Sequence, residues 1–197
     1  MSLAIIDSGG ANIGSVRFAL QRLGADSVFT ADPDVIRRAD RVILPGVGAA
    51  GAAMAQLEGH DLVDCIRGLT QPVLGICLGM QLLFEASTEG DVGCLGIIPG
   101  TLERFPEHDG LRVPHMGWNH TTPTREDPLT SGLGAEPWFY FVHSYYAPVS
   151  DATLAHCRHG IEFSAVVQRR NFRGAQFHPE RSATHGAKVL ENFLALS

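Results

Sequence analysis

The feature that most constrains this chain is the regular alternation of short apolar runs with helical patterns over its first 77 residues. Leu3 to Ile6 reads as a strand and is followed by a glycine-rich loop. A helix from about Ile13 to Leu23 comes next, with Ile13, Val16, Leu20 and Leu23 on one face and Gly24 as its stop. Ser27 to Thr30 forms a second strand, Asp32-Pro33 opens a short helix with a capping residue and a first-turn proline, and Arg41 to Leu44 forms a third strand. Pro72 to Ile76 is a fourth. Such βαβα alternation means strands that run parallel, so the expected fold is α/β, a mostly parallel doubly wound sheet with helices on both faces. Chemistry on such a sheet collects beyond the carboxyl ends of its strands.

Beyond Gly90 the signals change to shorter extended runs: Thr101 to Phe105, Trp138 to Val142, Thr153 to His156, Ser164 to Gln168 and Phe172 to Phe177. These predict an antiparallel extension of the sheet. The Thr-, Pro- and Gly-rich stretch from Thr121 to Glu136 reads as a loop, and a last helix runs from about His185 to Leu196. A length of 197 residues with 45% hydrophobic content suits one domain spanning residues 1–197.

Cys77 lies at the end of the fourth strand, in Gly75-Ile76-Cys77-Leu78-Gly79, with Met80, Leu82, Leu83 and Phe84 continuing as a helix. A strand-to-helix turn of this kind is a nucleophile elbow, which lifts the thiol into the open while helix N–H groups favour its thiolate. The other cysteines, at 65, 94 and 157, read as small buried hydrophobes, and no C-x-x-C spacing suggests disulfides or a metal. None of the nine histidines sits in a zinc-binding pattern, so the expectation is no metal and no cofactor.

A nucleophilic thiol needs a base and a group to orient it. In His178-Pro179-Glu180 an extended backbone would point both side chains to one side. Taken alone the tripeptide is weak; alongside an elbow cysteine it is much stronger. Oxyanion donors are sought in the backbone of Gly46, Val47 and Gly48, directly after the third strand, and in Leu78. Gln81, one helical turn past Cys77, is placed to hold a polar substrate or to cap nearby backbone. Glycine pairs at residues 9–10 and 46–48 match no phosphate loop. The residues by themselves license acyl transfer through a thiol and leave its substrate open.

Together these segments resemble the class I (triad) glutamine amidotransferases, across nearly the whole chain. Gly75 to Gln81 is similar to that family's nucleophile segment, and Gly174-Ala175-Gln176-Phe177-His178-Pro179-Glu180 to its base segment. The resemblance implies that Cys77 attacks the side-chain amide of glutamine, His178 moves the proton and Glu180 orients His178. Three further segments, Pro45 to Gly48, Pro114 to Asn119 and Phe141 to Tyr146, are similar to members that serve histidine biosynthesis. Those members hand ammonia to a partner cyclase, a (β/α)8 barrel in a heterodimer, which makes imidazole glycerol phosphate and an aminoimidazole carboxamide ribotide.

By the same resemblance, His143, Ser144 and Tyr145 hold the glutamine, and Asn12, Met116, Trp118, Asn119 and Arg181 face the cyclase. Arg181 stands where lysine is usual, and Asp7 to Asn12 departs from the usual Asp-Tyr-Gly-x-Gly-Asn at two positions. The net charge of −6 and dispersed basic residues argue against a nucleic-acid partner, and no apolar run suggests a membrane span or signal peptide. The expected location is cytoplasmic.

Overall fold

The computed structural model describes residues 2–9, 13–107 and 110–196. The chain order begins β1 (Leu3–Ile6), α1 (Ile13–Arg22), β2 (Val28–Thr30), α2 (Pro33–Arg38), β3 (Arg41–Leu44), α3 (Ala50–Gly59), α4 (Leu62–Arg67), β4 (Val73–Ile76) and α5 (Leu78–Gln81). It continues with β5 (Phe84–Ser87), β6 (Val92–Gly93), β7 (Ile98–Arg104), β8 (His115–His120), β9 (Thr122–Pro123), β10 (Trp138–His143) and β11 (Tyr145–Tyr146). The last elements are β12 (Thr153–His159), β13 (Ile161–Arg169), β14 (Phe172–Ala175) and α6 (Ala183–Ala195).

One eight-stranded sheet organises the molecule in the order β2-β1-β3-β4-β14-β13-β12-β9. The five strands from β2 to β14 are parallel, and β13, β12 and β9 extend the sheet antiparallel. Strand alternation splits the core in two. Leu3, Ile5, Ile43, Leu74 and Ile76 meet α1 and α6 on one face, while Ala4, Ile6, Val42, Leu44 and Val73 meet α2, α3 and α4 on the other. All four residues of β1 and of β4 are buried, as expected for parallel strands covered on both sides. Asp32 caps α2, accepting from the N–H groups of Asp34 and Val35 at 2.8 and 3.4 Å.

The expected fold class stands, with three corrections. The antiparallel extension does not include every later strand: Thr101 to Phe105 lies in a small sheet ordered β11-β7-β5-β6, and Trp138 to Val142 pairs only with β8. The helix after Cys77 is a single turn, and Phe84 starts β5; Leu82, Leu83 and Phe84 are fully buried, so their apolarity carries no helical period. Finally, α3 and α4 occupy a stretch where no element was predicted. Helix α3 is Ala- and Gly-rich, and its N-cap Ala49 makes no capping hydrogen bond, so two of the usual signals are missing.

Candidate active site

Strand β4 ends at Ile76, and Cys77 makes the turn with φ 53° and ψ −113°. The strain sits on the cysteine itself, and the flanking glycines supply room. A Cβ on Gly79 would fall on the Leu44 carbonyl, and one on Gly75 would lie 2.6 Å from the Gly79 oxygen. The elbow can therefore press against the end of β3 only if residue 79 is glycine, and the turn can close over its own strand only if residue 75 is. Helix α5 is too short to carry much of a macrodipole, so thiolate stabilisation has to come from neighbouring groups.

Cys77 lines a cleft of about 380 Å³ with Val47, Gly48, Leu78, Gln81, Glu89, His143, Ser144, Tyr145, His178 and Arg181 among its walls. Eight of the ten were expected here from sequence; Arg181 was expected at the partner surface, and Glu89 was not singled out. His178 hangs from the end of β14, the strand beside β4, and a 3₁₀ turn over Pro179–Arg181 brings Glu180 back to it. The geometry is therefore a tight turn and not the extended segment expected. His178 Nδ1 meets Glu180 Oε1 at 2.8 Å, with both side chains nearly inaccessible.

Since Nδ1 is committed to Glu180, Nε2 is the ring nitrogen left for the cleft, and it is buried without a hydrogen-bond partner, as is Glu180 Oε2. Burial would lower the His178 pKa, but Cys77 and the Glu180 carboxylate outweigh it and push it up to about 10. The site thus favours an imidazolium at His178 facing the sulfur, an arrangement suited to taking a thiol's proton and handing one on.

The segment after β3 divides. Val47 and Gly48 face the open cleft, Gly48 with φ 91°, whereas buried Gly46 borders a void of about 10 Å³ behind it, next to His178 and Glu180. Ser8, at one of the two atypical positions near the N-terminus, donates to the Pro45 carbonyl at 2.8 Å and so pins this segment. Asn12 lies outside the described residues.

Gln81 is buried, and its amide nitrogen donates to Tyr145 O and to Gln176 Oε1, both at 2.9 Å. Only its oxygen remains for a ligand. His143 is buried beneath the cleft, bonded to Tyr145 O at 2.8 Å and to His115 at 3.1 Å. Burial is the main reason its pKa falls to about 3; the nearby His115, His159 and His178 push the same way, and the Tyr145 carbonyl opposes them.

Glu89 was missed because nothing in its own surroundings marks it. Its Oε2 accepts from the Ala50 N–H at 2.9 Å, supplying the cap that α3 lacks locally. An uncapped helix start signals that such a group exists, but sequence does not say which.

The candidate partner-facing residues separate as well. Met116 and Trp118 are 64% and 50% exposed, an unusual state for large apolar side chains on adjacent outward positions of one strand. Asn119 turns inward, donating to Arg158 O at 3.0 Å. Exposed Arg181 rests over the Tyr140 ring at 5.1 Å, on the rim of the cleft. The remaining cysteines are buried and free, and burial pushes Cys94 and Cys157 up to about 11 and 12.

Comparison with known proteins places this chain in a family. The family model for glutamine amidotransferase class-I matches residues 4–196. The imidazole glycerol phosphate synthase subunit HisH of Xanthomonas euvesicatoria pv. vesicatoria is 55% identical over 195 residues, covering 99% of this chain and 98% of its own. The chain belongs to the HisH family of class-I glutamine amidotransferases. HisH of Xylella fastidiosa is 52% identical, with 98% of this chain and 97% of its own covered. Among solved structures, one described as a glutamine amidotransferase superposes with a TM-score of 0.75 at 18% identity, covering 98% of this chain and 97% of that one. At that identity it supports the fold alone. Among the described residues no helix is long and apolar enough to cross a membrane, and no three metal-binding side chains gather.

Proposed function

We propose that this chain, acting in the cytoplasm as a single glutaminase domain, hydrolyses glutamine and passes the ammonia to a (β/α)8-barrel cyclase making imidazole glycerol phosphate. The observation that carries the reading is the sharing of one cleft by an elbow cysteine and a carboxylate-held histidine. Cys77 Sγ attacks the side-chain carbonyl carbon of glutamine. Backbone N–H groups at Leu78 and at Val47 or Gly48 receive the negative oxygen. His178, protonated beside the thiolate, gives its Nε2 proton to the departing nitrogen, which leaves as ammonia. A glutamyl thioester remains on Cys77; His178 then takes a proton from water, the hydroxide attacks, and glutamate departs as the thiolate re-forms.

The charges on the cleft wall suit an α-amino acid. Glu89 offers a counter-charge for the ammonium and Arg181 one for the carboxylate, with His143, Ser144, Tyr145 and the Gln81 oxygen between them. Exposed Met116 and Trp118, with Arg181 at the rim, are read as the surface that meets the cyclase.

The deciding experiment reconstitutes the synthase with Cys77→Ala. Glutamine-dependent product formation should vanish while synthesis from added ammonia continues; retained glutamine use would sink the catalytic assignment. Glutaminase activity stimulated by a different synthase, and not by the cyclase and its ribotide, would overturn the partner.

A further inference from the structure

Two groups compete for the Cys77 sulfur. The Val142 carbonyl, 3.9 Å away, can only accept a hydrogen bond and so favours the thiol. The side chain of Gln176 is fully buried, and its Nε2 approaches Sγ at 4.0 Å from the neighbouring strand end. An amide hydrogen there favours the thiolate, provided the amide keeps that orientation.

The orientation is dictated from a distance. Gln176 Oε1 accepts from Gln81 Nε2, so Nε2 of Gln176 must face the sulfur. Gln81 is fixed in turn, because its other amide hydrogen goes to the Tyr145 backbone oxygen, which cannot be anything but an acceptor. The same oxygen also meets His143 Nδ1 at 2.8 Å, which therefore carries the proton. Neutral His143 then has an acceptor at Nε2, and the group facing it at 3.1 Å, His115 Nδ1, must donate. His115 and His143 lie directly opposite each other on β8 and β10. His115 Nε2 is left as an acceptor, facing Asn119 Nδ2 at 3.3 Å. Asn119 cannot be turned round, since its Oδ1 already accepts from the His120 N–H at 2.9 Å.

Every donor and acceptor along this path has one possible sense, from Asn119 inward to the sulfur. Strand β8 exposes Met116 and Trp118 on its other face, so the path starts directly behind the outward apolar pair.

We propose that the Gln176 amide is a catalytic donor to the Cys77 sulfur, oriented by Gln81 and Tyr145 O, and that His115 is a positioning residue that holds His143 and so keeps that carbonyl in place. The proposal rests on the reading of Cys77 as the nucleophile. It assigns Gln176 the task of holding the thiolate before substrate arrives, a task the one-turn helix cannot perform. Any movement of β8 would reach the sulfur through hydrogen bonds alone.

The test is the rate at which iodoacetamide alkylates Cys77 in the full chain at pH 7, read by peptide mass spectrometry, since only thiolate reacts. Gln176→Leu should slow labelling about tenfold, the loss of one hydrogen bond to a charged group. Gln176→Glu, of the same shape, should slow it further by setting a carboxylate against the sulfur, and it decides the matter if the leucine variant does not unfold cooperatively. His115→Leu should slow labelling roughly threefold, whereas His115→Asn, which retains a donor where Nδ1 stood, should label near the wild-type rate. A packing role predicts the reverse order, because Leu fills an apolar site better than Asn. Wild-type labelling in the Gln176 variants overturns the donor role, and equal rates for the two His115 variants overturn the positioning role. Labelling needs no glutamine, so a failed glutaminase assay with these labelling results would remove the proposed function and leave the sulfur contact standing.

Discussion

Two buried histidines lie within one cleft wall, and their surroundings drive them to opposite charge states. His178 and His143 are 5% and 6% exposed, so both bear the cost of desolvating an imidazolium. His178 nevertheless rises to about 10 while His143 falls to about 3. Burial is therefore not what prepares a base. His178 is held by a carboxylate and faces a sulfur that can carry negative charge; His143 hydrogen-bonds a carbonyl and another histidine and otherwise packs against phenylalanine rings. The first is arranged to hold a proton and release it, the second to stay neutral with one tautomer and orient its neighbours.

Removing the carboxylate is the strongest way to break this contrast. In Glu180→Gln the ring keeps a hydrogen-bond partner but loses the charge that favours imidazolium, and the amide can present the wrong atom to Nδ1. Glutamine hydrolysis in the reconstituted synthase should fall about 10³-fold, with synthesis from added ammonia unaffected. A loss of under about tenfold would mean that Glu180 does not distinguish the two rings.

The next test uses stability. Groups with depressed folded pKa values, His143 at about 3 and His115 at about 4, stay neutral in the fold while the unfolded chain takes up protons below about 6.5. Stability should therefore fall as pH drops from about 6.5 towards 4, by up to about 6 kcal/mol from the pair. His178 has the opposite sign: its folded pKa is raised, so its contribution is complete below about 6.5 and fades as pH climbs through about 10. Urea unfolding across this range should show the acid slope flatten in His143→Gln and the alkaline slope flatten in Glu180→Gln. An unchanged acid slope in His143→Gln would remove His143 from the account.

How much of this was legible in sequence follows the range of the interactions. The parallel half could be read because Leu3 to Ile6 and Arg41 to Leu44 are apolar enough to be strands wherever they pair, and Cys77 and the His178-Glu180 pair because each sits in a short local motif. Strand partners are not local, which is why Thr101 to Phe105 and Trp138 to Val142 were assigned to the wrong sheet. Leu82, Leu83 and Phe84 are buried on all sides, so their pattern does not separate helix from strand. Glu89 and Gln176 escaped for another reason. Their significance lies in which atom faces the cleft or the sulfur, and that is set by Ala50 and Gln81, 39 and 95 residues away.

The mildest test concerns the far side of the strand that carries His115. Alternation along β8 puts His115 and Asn119 inside and Met116 and Trp118 outside, so the inner and outer faces can be altered separately. Trp118 is half exposed and meets Tyr140 edge-on at 6.3 Å, and Tyr140 carries Arg181 on its ring. Truncation to alanine removes little buried area within this chain, so unfolding free energy should move by less than about 0.5 kcal/mol. At an interface the same side chain becomes a buried aromatic anchor, and Trp118→Ala should weaken binding to the cyclase about tenfold in a titration. Cys77 alkylation in the isolated chain should stay at the wild-type rate, because the hydrogen bonds from Asn119 to the sulfur do not pass through the indole. A slower alkylation in Trp118→Ala would show that the two faces of β8 are not independent, and that the neutral histidine pair responds to what packs on the strand's outer side.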